Sequence, residues 1–178
     1  MNLVAAAPLW LMALLAAALA GAAIEDAVRL RISNLSCVAV VLLALVAMGF
    51  AGFPLALWQN FVVLAVLLGA GTLLFASGKV GGGDVKLLAA VGMWFDLRAA
   101  VWLIAAVFLS GGLIAIGYIL ARLLFRPSEG EGRKKIGSRK IPYGLAIVAG
   151  AAFAFLAQSD LNKPTPKKAN PFSVIVPR

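Results

Sequence analysis

Apolar residues in this chain gather in long runs separated by short polar stretches, and nowhere do they alternate with the two-residue period of a strand. A first run covers about residues 3–24 and ends in the polar joint EDAVRLRISN at 25–34. A second starts near 34, where Ser33 or Asn34 is available as a helix cap, and reaches about 50. The uncharged stretch GFAGFPLALWQN then turns the chain at Pro54, and a third run covers roughly 57–76 before SGKVGGGDVK. From 85 to 95 the helical pattern lasts only about 11 residues, roughly 16 Å at 1.5 Å each, which predicts a thin span or a re-entrant helix. A long run at about 98–125 enters the hydrophilic stretch RPSEGEGRKKIGSRK, and a last one covers about 142–158. Runs near 20 residues suit a hydrocarbon core about 30 Å thick. The pattern predicts an all-α, polytopic transmembrane bundle of about six membrane helices, one of them short or re-entrant. It forms a single membrane domain over 1–160, with a basic loop at 126–140 and a polar tail at 161–178.

Composition agrees with a lipid bilayer as the surrounding medium: of 178 residues, 63% are hydrophobic and 13% charged, against about a quarter charged in soluble domains. The formal charge of +9 raises the question of nucleic acid. The basic residues, however, sit at the ends of apolar runs and in one polar loop, without interleaved aromatics, which is the distribution of positive-inside topology and not of a nucleic-acid surface. That rule puts 25–34, 78–86 and 126–140 on the cytoplasmic side and Met1 outside, with the side of the tail left open by Lys163, Lys167 and Lys168. The first run is expected to be retained as a helix, since Arg29 and Arg31 follow it where a signal peptide would carry its charge in front. Trp58, Trp94 and Trp102 are expected as interfacial anchors.

The chain has no histidine and one cysteine, Cys37. This excludes disulfides within the chain, thiolate metal sites and Ser-His or Cys-His catalysis, and leaves Cys37 as a small packing residue. Acid–base chemistry then falls to carboxylates, Lys or Tyr, and is expected to need neither metal nor cofactor. Of seven acids, Glu129 and Glu131 lie in the polar loop, Asp160 in the tail and Asp96 in a turn beside Arg98, all readable as solvated or interfacial charge. Glu25, Asp26 and Asp84 remain, each where a helix meets the cytoplasmic interface, and a carboxylate near hydrocarbon costs a few kcal/mol unless paired, hydrated or protonated. Asp26 and Asp84 come from different helix ends at one face and can share a proton. Such a pair can activate water with its ionised member and polarise a peptide carbonyl with its protonated one. Gly81, Gly82 and Gly83 carry no side chains and would let backbone, or an extended substrate, approach Asp84. Lys86 either favours the ionised form of Asp84 or snorkels to the interface.

The segment GGGDVKLLAAVGMW at 81–94 closely resembles the GxGD segment of type IV prepilin peptidases. DAVRLRISN at 26–34 resembles the family's first aspartate segment, matching at Asp26, Arg29, Arg31, Ile32 and Asn34, with Ser33 where the family usually has proline. KIPYG at 140–144 resembles a third family segment, without the proline that often follows its glycine. The resemblance implies an aspartic endopeptidase with Asp26 and Asp84 as its catalytic pair. Such enzymes cut the basic leader from prepilins or pseudopilins at the cytoplasmic face of the bacterial inner membrane, for pilus assembly or secretion. Glu25 could contact that leader. Bifunctional members methylate the new N-terminus and carry a long insertion with paired CxxC motifs between the first two helices. Here a joint of about ten residues stands in its place, which resembles the peptidase-only type serving Flp (tight adherence) pilins. The alternatives are a small transporter or proton or cation relay, which would place its acids near mid-membrane in broken helices, and a structural subunit of a secretion machine, which would tolerate loss of either acid.

Overall fold

The computed structural model describes residues 2–29, 31–52, 54–78, 80–124 and 143–161. The elements in chain order are α1 (Leu3–Ala6), α2 (Leu9–Arg29), α3 (Asn34–Phe50), a 3-10 turn (Leu55–Leu57), α4 (Trp58–Ala76), α5 (Gly82–Gly92), α6 (Leu97–Leu124) and α7 (Tyr143–Leu161). Among the described residues there is no strand. Three stretches, Leu9–Arg29, Leu55–Ala76 and Leu97–Ala121, are long and apolar enough to cross a membrane, and α3 and α7 are shorter apolar helices. The fold is the helical membrane bundle that the sequence pattern predicts, with six longer helices of which α5 is the short one.

Several boundaries differ from the sequence pattern for local reasons. Pro8 splits the first run, because proline has no N–H to donate and disfavours helical geometry in the residue before it. The four residues of α1 are capped by the Asn2 side chain, which accepts the Val4 N–H at 3.1 Å. The joint at 25–34 is mostly helix: α2 continues through Glu25 and Asp26 to Arg29, whose cation in the last turn suits the negative end of the helix dipole. In the same way α5 begins at Gly82, so Gly82, Gly83 and Asp84 form its first turn and only Gly81 is extended. Finally, α7 reaches Leu161, which puts Asp160 on a helix and not in a tail. The basic loop at 126–140, the tail from 162 on, Lys79 and the first three residues of the 140–144 segment lie outside the described residues.

Helix α5 is the centre of the bundle. It packs against α3, α4 and α7, while α2 lies along α3 and α7 and α6 runs beside α7. Val85, Leu87, Ala89, Ala90, Val91 and Gly92 of α5 are all buried. Small residues allow this crowding, as expected where helices associate in lipid through close packing: a Cβ on Gly92 would run into Leu67, and one on Gly150 of α7 would lie 2.6 Å from the Val107 Cα of α6.

The C-terminal end of α5 is tied down by polar contacts inside the apolar core. Trp94 is fully buried and not an interfacial anchor; its indole N–H donates to the Val40 carbonyl of α3 at 3.2 Å. Asn60 of α4 donates to the Met93 carbonyl at 2.9 Å, and the Leu3 N–H of α1 donates to the Trp94 carbonyl at 3.0 Å. A buried indole N–H needs such a partner. Trp58 and Trp102, in contrast, are exposed on the outer surface as expected of anchors.

Candidate active site

Four pieces of chain meet at one end of the bundle: the end of α2, the joint after it, and the starts of α5 and α7. Asp26, in the penultimate turn of α2, is only 5% exposed. Its Oδ2 accepts the Gly144 N–H at 2.7 Å, a buried hydrogen bond spanning 118 residues of sequence. Gly144 is the second residue of α7, and the free N–H groups and positive dipole end of a helix start favour a negative partner.

Asp84 lies in the first turn of α5, its carboxylate folded back over Gly81, where a Cβ would stand 2.6 Å from Oδ2. Burial pushes its pKa up to about 6, the charge of Asp26 adds to the rise, and a backbone hydrogen bond from Gly81 opposes it. The structure therefore brings the two aspartates within electrostatic reach of each other.

Ile32 sits against Gly83, which precedes Asp84, and Gly144, which bonds Asp26. A Cβ on Gly83 would lie 3.1 Å from the Ile32 Cβ and 3.2 Å from its carbonyl oxygen, and one on Gly144 would lie 2.8 Å from the Ile32 Cδ1. The glycines before Asp84 thus allow a close approach of the chain to itself: Gly83 to Ile32, Gly82 to the Phe75 ring at 3.3 Å, and Gly81 to the Asp84 carboxylate. Gly81 alone of the three is exposed, and it marks the open side of the site. Cys37 packs behind, buried, its Sγ 4.0 Å from the Gly83 carbonyl.

Glu25, Lys86 and Asp96 have structural partners. Glu25 Oε2 accepts the Ser33 N–H at 3.2 Å and the Ser36 hydroxyl at 2.9 Å, which fastens the end of α2 to the start of α3. Ser33 also caps α3 through its own hydroxyl, which accepts the Ser36 N–H at 3.2 Å. A proline at 33 would have no N–H for Glu25, so the serine adds a bond at the position where it departs from the pattern. Lys86 donates to the Asn34 side chain at 2.9 Å and not to Asp84. Asp96 is more than interfacial charge: its Oδ1 accepts the Ala99 N–H at 2.9 Å and caps α6.

Two contributors to the site carry no local sequence signal of their role. Gly144 acts through its backbone N–H, and Ile32 acts as a spacer. Both stand in motifs noted in the sequence, KIPYG and DAVRLRISN, and those motifs were the available clue.

A bundle of apolar helices thus holds two carboxylates at one end, with the charge of Asp26 contributing to the raised pKa of Asp84. The sequence profile of the type IV leader peptidase family matches residues 13–119, well over half of the chain and including Asp26 and Asp84. The chain belongs to the type IV leader peptidase family. No curated protein and no solved structure matches it.

Proposed function

We propose that the chain is an aspartic endopeptidase that removes the basic leader of Flp-type prepilins at the cytoplasmic face of the bacterial inner membrane, with Asp26 and Asp84 as its catalytic pair. One observation carries the reading above all: Asp26 and Asp84, both inside the family match at residues 13–119, stand at one end of the bundle, where burial first and the charge of Asp26 second push the Asp84 pKa up to about 6. The two carboxyl groups differ in surroundings, and this assigns their roles. Asp26, bonded to the N-terminal end of α7, takes the role of base; Asp84, whose pKa is raised, takes the role of acid. A water oxygen attacks the scissile carbonyl carbon as Asp26 takes a proton from it, and the proton of Asp84 passes to the carbonyl oxygen. Collapse of the tetrahedral intermediate breaks the C–N bond; the amine leaves with the proton that Asp26 took, and Asp84 recovers its own.

The test is co-expression with the small pilins encoded by the same organism, followed by measurement of leader removal. A shortened pilin that appears only with this chain supports the proposal, and intact prepilins throughout would refute it.

The pH dependence follows from the same pair. Asp84 acts in its protonated form, so kcat/KM should fall as pH rises through about 6, approaching tenfold per unit on the alkaline side. Peptide cleavage measured from about pH 5 to about pH 8 checks this, and a flat profile would remove the shared proton from the mechanism.

A second expectation concerns the product. Only residues 30–33 separate α2 from α3, too few for the cysteine-bearing insertion of the methylating members. Mass spectrometry of pilin matured by this enzyme alone should show an unmodified N-terminal amine, and an added methyl group would contradict the peptidase-only assignment.

A further inference from the structure

Two cavities beside the aspartate pair share one lining residue. The first is a groove of about 370 Å³ with α3 and α4 as walls and α5 as floor, apolar except where Asn34, Cys37 and Lys86 line it. The second, of about 450 Å³, is formed by the α2–α3 joint, with Arg29, Arg31, Glu25 and Ile32 among its lining residues. Asn34 lines both and accepts from the Lys86 ammonium at 2.9 Å, so Lys86 stands at the groove's polar end. Arg29, Arg31 and Lys86 are all exposed. The one acid here, Glu25, is engaged by Ser33 and Ser36 through Oε2. The apolar slot therefore has Lys86 at its polar end, and Arg29 and Arg31 line the pocket that adjoins it at Asn34.

We propose that the groove and the basic pocket together bind one anionic phospholipid, with an acyl chain along α5 and the phosphate among Lys86, Arg29 and Arg31. Charge complementarity selects the headgroup, since basic side chains at a membrane interface attract anionic lipid. The same charge disfavours a basic peptide. Width favours the chain: a single acyl chain is far narrower than a helix about 10–12 Å across. A comparison within the molecule supports the assignment. The groove between α2 and α7 is similar in size, about 330 Å³, but all its lining residues are apolar, and it has no means of choosing a headgroup. The proposal is independent of the peptidase reading, because it needs neither aspartate.

Native mass spectrometry of the full chain, released from detergent after exposure to phosphatidylglycerol or phosphatidylcholine with the same acyl chains, tests it. One phosphatidylglycerol should be retained at least about fivefold more than phosphatidylcholine, the discrimination expected from a single interfacial cation. Joint replacement Arg29→Gln, Arg31→Gln and Lys86→Gln should abolish the preference. Val38→Trp, at an exposed groove wall, should reduce retention while leaving the cations in place. Equal retention of both lipids, or a preference that survives the triple replacement, would overturn the proposal. Displacement of the lipid by glycerol phosphate would overturn it in favour of a simple anion site, and displacement by an apolar helical peptide in favour of a helix-binding groove.

Discussion

Replacing either Asp26 or Asp84 by asparagine is expected to lower leader cleavage about a thousandfold or more, equivalent to about 4 kcal/mol of transition-state stabilisation, while the protein still accumulates in the membrane. The amide is nearly isosteric with the carboxyl group, and at position 26 its oxygen can still accept the Gly144 N–H. What it cannot do is take a proton from water or share one with its partner. The double variant should be little worse than either single one, because groups that act as a unit are grossly non-additive. Glu25→Gln and Asp96→Asn are the matched controls. Each keeps an oxygen acceptor for the bonds now made to Ser33 and Ser36 or to Ala99, and each should retain most activity. Cleavage rates and membrane abundance for the five variants settle the matter; normal cutting by both single Asp variants would end the aspartic-peptidase proposal.

Gly144→Ala should cost about a hundredfold in cleavage without loss of protein. The added methyl would stand 2.7 Å from the Asp26 Oδ2, 2.9 Å from its Cβ and 2.8 Å from the Ile32 Cδ1. Ile32 can move its terminal carbon aside, but the Asp26 Cβ is fixed to α2, so the carboxylate and the α7 start must separate. A displacement on the order of 1 Å at a catalytic group is enough for a loss of that size. Alanine is the better helix former by about 0.5–1 kcal/mol, so helix propensity does not predict instability. Gly112→Ala in α6, where nothing lies within 4 Å of the new methyl, should behave as the parent enzyme. The informative readout beyond rate is the pH profile. With Gly144 no longer bonded to Asp26, the placement of the Asp26 charge that contributes to the raised Asp84 pKa changes and the alkaline limb should move. An unchanged profile together with a normal rate would show that Gly144 does not position Asp26.

Much of the bundle was legible because long apolar runs have few ways to satisfy their backbone in lipid, and helices are the simplest. The start of α3 was legible from Ser33 for the same reason that caps are readable anywhere, a local hydrogen bond made by a local side chain. The convergence of Asp26 and Asp84 followed from charge patterning and from the family resemblance, since both flank basic clusters. The sequence misled where a residue's partner is distant. Glu25 and Asp26 looked like a loop because acids and arginines crowd there, yet α2 runs through them and hands their carboxylates to α3 and α7. Trp94 looked like a membrane anchor because tryptophan favours interfaces, but the carbonyl that receives its N–H belongs to Val40, 54 residues earlier. Gly144 could not be read at all in this respect, since its contribution is a main-chain N–H.

The tether at the far end of α5 turns that helix into a ruler. Trp94 and Met93 are pinned by α1, α3 and α4, and Asp84 is ten positions before Trp94, in the first turn of a helix that ends two residues short of it. One residue added or removed between them would swing the carboxylate by about 100° around the helix axis and shift it about 1.5 Å along it, away from Asp26. Chains built on this plan should therefore tolerate insertions in many connections but none between this aspartate and this tryptophan. Geometry alone should fix the spacing there, whichever apolar residues fill the interval.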